Sequence, residues 1–185
     1  MGFLGFGKKK EEPAPAEKPA EKPAAPELTE DEKEAREIYA ALCKAFETHD
    51  FHCEKFEDDL TLKCGMRGED LPFDLFVRVD AKRKLVLLLS DVGFIIPEEK
   101  RIEFAVAVCM VNDRLVNGTF DFSPRNGRLF FRMSNSYRGC PPGQEIFDYM
   151  IFTSCHTIDE YNDKFLMLSK GITTLEQFLE ADKKG

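Results

Sequence analysis

The sequence has no tryptophan, only three histidines and no apolar run longer than the eight residues from Phe104 to Val111. A membrane-spanning helix needs about 20 apolar residues, so we expect no transmembrane segment. The sequence also lacks a phosphate-binding loop, a Gly-x-Ser-x-Gly motif, a His-Glu-x-x-His motif and a Cys-x-x-Cys pair. These absences predict a protein that is not an enzyme and has no cofactor and no bound metal.

The charge distribution argues against nucleic acid as a partner. The formal net charge is -8, while residues 1–27 contain five lysines and five glutamates. The acidic excess therefore belongs to the rest of the chain, and a negative field repels phosphate backbones.

The first 27 residues differ in composition from the remainder. Residues 11–27 are almost entirely proline, alanine, glutamate and lysine, a composition that buries too little apolar surface to offset the entropy of ordering. We therefore predict a disordered tail over 1–27 and a single domain over 28–185. Residues 1–10 combine phenylalanines and a leucine with three lysines, which leaves contact with an acidic membrane surface as an alternative.

The six cysteines lie mostly in apolar periodic segments. The apolar start of the chain is too short for a signal-peptide core and is followed by no cleavage site. We therefore expect a cytoplasmic protein in which all six thiols are reduced.

Capping signals and helical spacing predict helices. Thr29 and Glu32 form a capping-box pattern, and Pro97, followed by two glutamates, is a favourable helix start. Gly171 is a plausible C-terminal cap for a long helix. The predicted helices span residues 29–49, 97–115, 144–171 and a short segment, 174–179.

Alternating or continuous apolar residues predict five strands, at 60–67, 73–80, 85–89, 119–122 and 128–133. The last two flank Asn126-Gly127, a dipeptide typical of hairpin turns. The element order α-β-β-β-α-β-β-α predicts an α+β fold. In it, an antiparallel or mixed five-stranded sheet has its helices mainly on one face.

Three segments carry a resemblance to a known family: Asn117-Gly118-Thr119-Phe120, Gly127-Arg128-Leu129-Phe130-Phe131-Arg132, and Tyr161 through Gly171. Residues 28–180 resemble the YbjN family and its relatives with the type III secretion chaperone fold. This resemblance implies a dimer or a binding module whose partner is a protein or peptide, since secretion chaperones hold an extended segment of a client. The predicted function is therefore protein binding, as a chaperone-like protein or a regulatory adaptor.

Strand 85–89 is apolar on both parities, which predicts a sticky patch on the uncovered sheet face. If its odd-numbered leucines face the helices, Val86 and Leu88 face away, on the same side as two phenylalanines of neighbouring strands. The predicted partner-binding residues are Phe76, Val86, Leu88 and Phe130.

Helix 97–115 is apolar all round over Phe104 to Val111, which indicates burial on more than one side. Either the long C-terminal helix or a second subunit covers the additional side, and the sequence leaves both open. For a homodimer, the predicted interface residues are Phe104, Val108 and Val111.

Two other functions stay open at this point. One is a thiol- or metal-dependent enzyme that uses Cys140, in a proline-rich loop, or the cluster from His49 to Cys53. The other is a membrane-proximal structural protein tethered by residues 1–10.

Overall fold

The computed structural model describes residues 28–182, which form one six-stranded sheet and four helices. The strands are β1 (Cys53–Phe56), β2 (Thr61–Arg67), β3 (Pro72–Asp80), β4 (Leu85–Ile95), β5 (Thr119–Ser123) and β6 (Arg128–Ser136). The helices are α1 (Glu30–Thr48), α2 (Arg101–Arg114, preceded by a 3-10 turn over Glu98–Lys100), α3 (Gln144–Ser169) and α4 (Leu175–Asp182). The predictions about residues 1–27 lie outside the described residues.

The sheet is antiparallel throughout, with strand order β1-β2-β3-β4-β6-β5. The predicted α+β class is confirmed, but the predicted count of five strands is wrong. The sequence analysis missed β1, which has only four residues and no alternation of buried and exposed side chains. Its pairing with β2 makes it a strand, and a local pattern does not reveal such pairing.

Local signals place several elements where they were predicted. The backbone N–H of Glu32 donates to Thr29 Oγ1, and the Thr29 N–H donates to the Glu32 carboxylate, which confirms the capping box. Gly127 has φ of 71°, and its N–H donates to the Ser123 carbonyl at 2.8 Å. This left-handed residue closes the β5–β6 hairpin, and a Cβ there would clash with the carbonyl oxygen of Ile96.

One face of the sheet is covered by the helices, as predicted. Aromatic rings join the layers: the Phe165 ring of α3 lies 5.1 Å from the rings of both Phe104 in α2 and Phe120 in β5. Phe131 of β6 and Phe178 of α4 extend the same cluster. Burial of this large apolar surface is the main stabilising contribution to the fold.

Edge strand β5 is partly blocked. The Asn112 side chain in α2 donates to the Phe120 carbonyl at 2.9 Å and accepts from the Phe120 N–H at 2.8 Å. Both free backbone groups of Phe120 are therefore already paired, which limits addition of another strand at this edge.

Cys53 and Cys64 are directly opposite each other in β1 and β2, with their Cα atoms 4.4 Å apart, and they form a disulfide. The prediction of six reduced thiols is therefore wrong. The register of a strand that the sequence analysis missed brings the two sulfur atoms together. The four other cysteines are free.

Within residues 28–182, no helix has both the length and the apolar character needed to cross a membrane.

Candidate binding face of the sheet

The sheet face opposite the helices, called the outer face below, has apolar side chains at its centre. Three half-buried leucines of β4 lie between one phenylalanine of β3 and one of β6. These five side chains, the apolar patch, are Phe76, Leu85, Leu87, Leu89 and Phe130. Among the described elements, the helices pack on the other face, so this patch is open to solvent.

The face assignment of β4 was reversed in the sequence analysis. Val86 and Leu88 are 0% exposed and lie under the helices, so their assignment to a partner-binding surface is wrong. The odd-numbered leucines take their place on the outer face. Asp91 has the same parity in β4 as those leucines, so its side chain points to the same face of the sheet. Its charge is the signal in the sequence that identifies this face as the one in contact with solvent.

The two phenylalanines do lie on the outer face. Phe76 is 36% exposed and is directly opposite Leu89, while Phe130 is half-buried and opposite Asp91. Lys63 Nζ lies 5.8 Å from the Phe76 ring centroid, and the Arg128 guanidinium lies 6.0 Å from that of Phe130. Cations over ring faces hold the rings in place without covering them fully.

Ion pairs surround the apolar patch. The pairs on the outer face are Lys63–Asp74 at 3.3 Å, Arg128–Asp91 at 3.6 Å and Arg132–Asp121 at 2.5 Å. Hydrogen bonds to the Asp121 carboxylate raise the pKa of Arg132. An apolar centre with a polar rim is the usual anatomy of a protein-binding surface.

A cleft of about 460 Å³ adjoins the apolar patch and is lined in part by Gly65, Phe76, Asp74, Asp91 and Gly93. Asp74 and Asp91 are directly opposite each other in β3 and β4, so two carboxylates flank one end of the cleft. Gly93 has no atom within 4 Å of its ideal Cβ position, so the cleft is open above this residue. The cleft therefore combines an aromatic wall with two carboxylates that are already ion-paired, Asp74 with Lys63 and Asp91 with Arg128.

The predicted dimer residues lie in the core of the chain itself. Phe104 and Val111 are 0% exposed and Val108 is 5% exposed, and the Phe104 ring packs against Phe122 and Phe165 at 5.1 Å each. Their assignment to a subunit interface is therefore wrong, because α3, α4 and β5 already cover this side of α2.

The opposite side of α2 has its own apolar stripe. Ile102, Val106 and Met110 are spaced four residues apart and are 79%, 45% and 43% exposed. Side chains at this spacing lie on one face of a helix, so α2 has a second apolar surface that the described residues leave uncovered.

The structure separates the members of the predicted His49–Cys53 metal cluster. His49 Nε2 lies 2.9 Å from Asp148 Oδ1, and Cys53 is bonded to Cys64. Over residues 28–182, no group of three or more His, Cys, Asp or Glu side chains is arranged to hold a metal ion.

Two of the free cysteines, Cys140 and Cys155, differ in environment. Cys140 is exposed, as predicted for its loop. Burial raises the pKa of Cys155 to about 11, with a further contribution from Asp159. Cys155 is therefore protonated at neutral pH and is a poor nucleophile, which agrees with a structural role.

Comparisons with known proteins add little. No family model matches the chain, and no curated protein matches it. Among solved structures, a chain of the HopA1-SchA chaperone-effector complex is similar at 15% identity, covering 69% of this chain and 97% of that chain, with a TM-score of 0.43. A likeness this weak carries no argument about fold or function.

Proposed function

We propose that this protein is a non-catalytic protein-binding module that holds a segment of a partner polypeptide on the outer face of its sheet. The observation that carries the proposal is the apolar patch, which places leucine and phenylalanine side chains at the centre of an uncovered face. Contiguous exposed apolar surface with a polar rim is characteristic of binding sites.

The geometry favours contact across the face rather than strand addition at the β5 edge. Asn112 already occupies both free backbone groups of Phe120, so a strand added there would have to displace these hydrogen bonds. On the face, Phe76 and Leu89 need only side-chain contacts from the partner. A suitable partner segment thus has apolar residues on one side, as an extended strand or an amphipathic helix has.

The chaperone-like or adaptor role and membership of the YbjN family are the finer parts of this proposal. They rest on the sequence resemblance around Asn117-Gly118 and Gly127 through Arg132. A cytoplasmic location also stays a prediction. Cytosolic proteins rarely keep disulfides. Detection of the Cys53–Cys64 disulfide in protein taken from cells would therefore count against a cytoplasmic location.

The test compares partner capture by the full chain and by the Phe76→Ser/Phe130→Ser variant, with captured proteins quantified by mass spectrometry. Capture of a specific partner should fall at least about tenfold, because one well-buried aromatic contact contributes about 1.5–3 kcal/mol to the binding free energy. The matched control is Ile172→Ser, which removes an exposed apolar side chain from the connection between α3 and α4. Unchanged capture by a folded Phe76→Ser/Phe130→Ser variant would refute the proposal.

A homodimer is a second candidate, favoured by the exposed stripe on α2. We propose that Ile102, Val106 and Met110 meet the same residues of a second copy across a two-fold axis, where every contact occurs twice. This surface is separate from the apolar patch, so a dimer would leave both outer faces free for partners.

A further inference from the structure

Strand β1 is weakly held at one edge of the sheet. Among the described strands it pairs only with β2, and three of its four residues are exposed. Cys53 and Cys64 are opposite each other with their Cα atoms 4.4 Å apart, which is the spacing of a non-hydrogen-bonded antiparallel pair. Bonded and non-bonded positions alternate along such a ladder, so backbone hydrogen bonds hold only every second residue of this short strand.

Two side-chain contacts add to this pairing. Lys55 Nζ donates to a carboxylate oxygen of Glu47 in α1 at 2.6 Å, and the two side chains are 43% and 59% exposed. An ion pair that is exposed to this degree contributes little to stability. The other contact is the Cys53–Cys64 disulfide, which is therefore the strongest attachment of β1 to the rest of the domain.

The residues on either side of β1 are better anchored. Phe51 precedes the strand, and its ring centroid lies 5.9 Å from that of Phe46 and 6.4 Å from that of Phe152. Leu60 follows the strand and is 9% exposed. The segment between Phe51 and Leu60 can therefore leave the sheet edge while both of its ends stay packed.

Cys43 of α1 lies beneath this segment. Its side chain is 9% exposed, and it lines a cleft of about 540 Å³ together with Lys55 and Glu57. Burial raises the pKa of the Cys43 thiol, which keeps the thiol protonated and unreactive at neutral pH. Movement of residues 52–59 away from α1 would remove one wall of this cleft and expose the thiol.

From these contacts we propose that the Cys53–Cys64 disulfide is a redox switch that controls whether residues 52–59 stay at the sheet edge. A dithiol reductant supplies two electrons and two protons to the disulfide and is itself oxidised to a disulfide, which leaves Cys53 and Cys64 as thiols. Residues 52–59 then leave the edge, because a four-residue strand with exposed side chains is only marginally stable on its own. Cys43 becomes open to solvent.

Release of β1 also changes the outer face. Thr61 is opposite both Phe56 and Arg78, and Arg78 is opposite Leu87 of the apolar patch. Directly opposite residues share a face of the sheet, so Phe56, which is 45% exposed, extends the outer face beyond Leu87. Its withdrawal makes the extent of this face depend on the redox state. The switch goes beyond the proposed function, and its test needs no partner.

The test is alkylation of the native protein followed by peptide mass spectrometry, which gives a separate rate for each free cysteine. In Cys53→Ser/Cys64→Ser, and in wild type after reduction and removal of the reductant, Cys43 should react at least about tenfold faster than in oxidised wild type. A disulfide that closes a short loop shifts an opening equilibrium by at least about that factor. The matched control Cys140→Ser removes an exposed free cysteine and should leave the Cys43 rate unchanged. An unchanged Cys43 rate in protein whose disulfide is reduced would overturn the proposal.

Cys155 separates local opening from general loosening. It is half-buried in α3, away from β1 in the sheet order, and should react at the same rate in oxidised and reduced protein. Equal acceleration at Cys43 and Cys155 would show that reduction loosens the whole domain, which overturns a local switch.

A substitution at Lys55 separates the disulfide from the ion pair. Lys55→Ala removes the contact with Glu47 and keeps the disulfide, so its Cys43 rate should match that of oxidised wild type. If Lys55→Ala exposes Cys43 as much as Cys53→Ser/Cys64→Ser does, the ion pair holds β1 in place and the proposal fails.

Discussion

Leu88 and Leu89 are consecutive residues of β4, yet Leu88 is 0% exposed beneath the helices and Leu89 lies on the outer face opposite Phe76. Adjacent residues of a strand point to opposite sides of the sheet. This pair therefore provides a direct test of which face is covered.

We predict that Leu88→Ala lowers the free energy of unfolding by about 2–5 kcal/mol, because it leaves a cavity in a close-packed core. Leu89→Ala should cost less than about 1 kcal/mol, because surface substitutions leave no such cavity. Chemical denaturation of both variants measures the difference. Equal losses would show that the outer face is also covered.

The Cys53–Cys64 disulfide predicts a defined thiol count. Alkylation of the denatured, unreduced protein should modify the four free cysteines, and prior reduction should allow modification of all six. Reduction should lower the free energy of unfolding by about 2–3 kcal/mol, as expected for a short closed loop. The Cys53→Ser/Cys64→Ser variant should not respond to reductant, whereas Cys109→Ser should respond as wild type does. Six modified cysteines without reduction would contradict the structure.

Glu103 predicts a pH dependence of stability. Its carboxylate accepts from Lys100 Nζ at 2.8 Å and from the Leu175 N–H at 3.1 Å, which ties α2 to the start of α4. The hydrogen bond from Lys100 is the main cause that lowers the pKa of Glu103 below its usual value of 4.5. A lowered pKa contributes stability above the usual value, and this contribution is lost as the pH falls through the folded-state pKa.

We therefore expect Glu103→Gln to have a lower Tm than wild type at pH 7 and to lose less Tm between about pH 5 and pH 3. Thermal melts across this range provide the measurement. Glu99→Gln removes an exposed charge from the preceding turn and should follow the wild-type curve. Parallel curves for wild type and Glu103→Gln would show that the Glu103 carboxylate is not responsible for acid sensitivity.

Substitutions on the two sides of α2 distinguish association from folding. Val106 is 45% exposed and Val108 is 5% exposed, so glutamate at position 106 should convert a dimer to a folded monomer, and glutamate at position 108 should unfold the domain. Sedimentation velocity and circular dichroism report the two effects. A wild-type chain that stays monomeric at high concentration would refute the homodimer.

The sequence by itself determined those elements that depend on neighbouring residues. The Thr29–Glu32 capping box positions the start of α1, and Asn126-Gly127 positions the β5–β6 hairpin, because both signals act over four residues or fewer. Alternation in β2 and β3 also identified their inner and outer sides, since each strand has charged residues on one parity.

Only the tertiary structure decided the features that depend on distant residues. Leucines occupy both parities in β4, so the packed helices determine that Leu88 is core and Leu89 is surface. β1 exists because it pairs with β2, and the same register brings Cys53 to Cys64. The apolar run of α2 from Phe104 to Val111 allowed either a neighbouring helix or a second subunit to cover Phe104. The ring of Phe165, 61 residues later in the chain, covers it because chain folding brings α3 across the same face of the sheet.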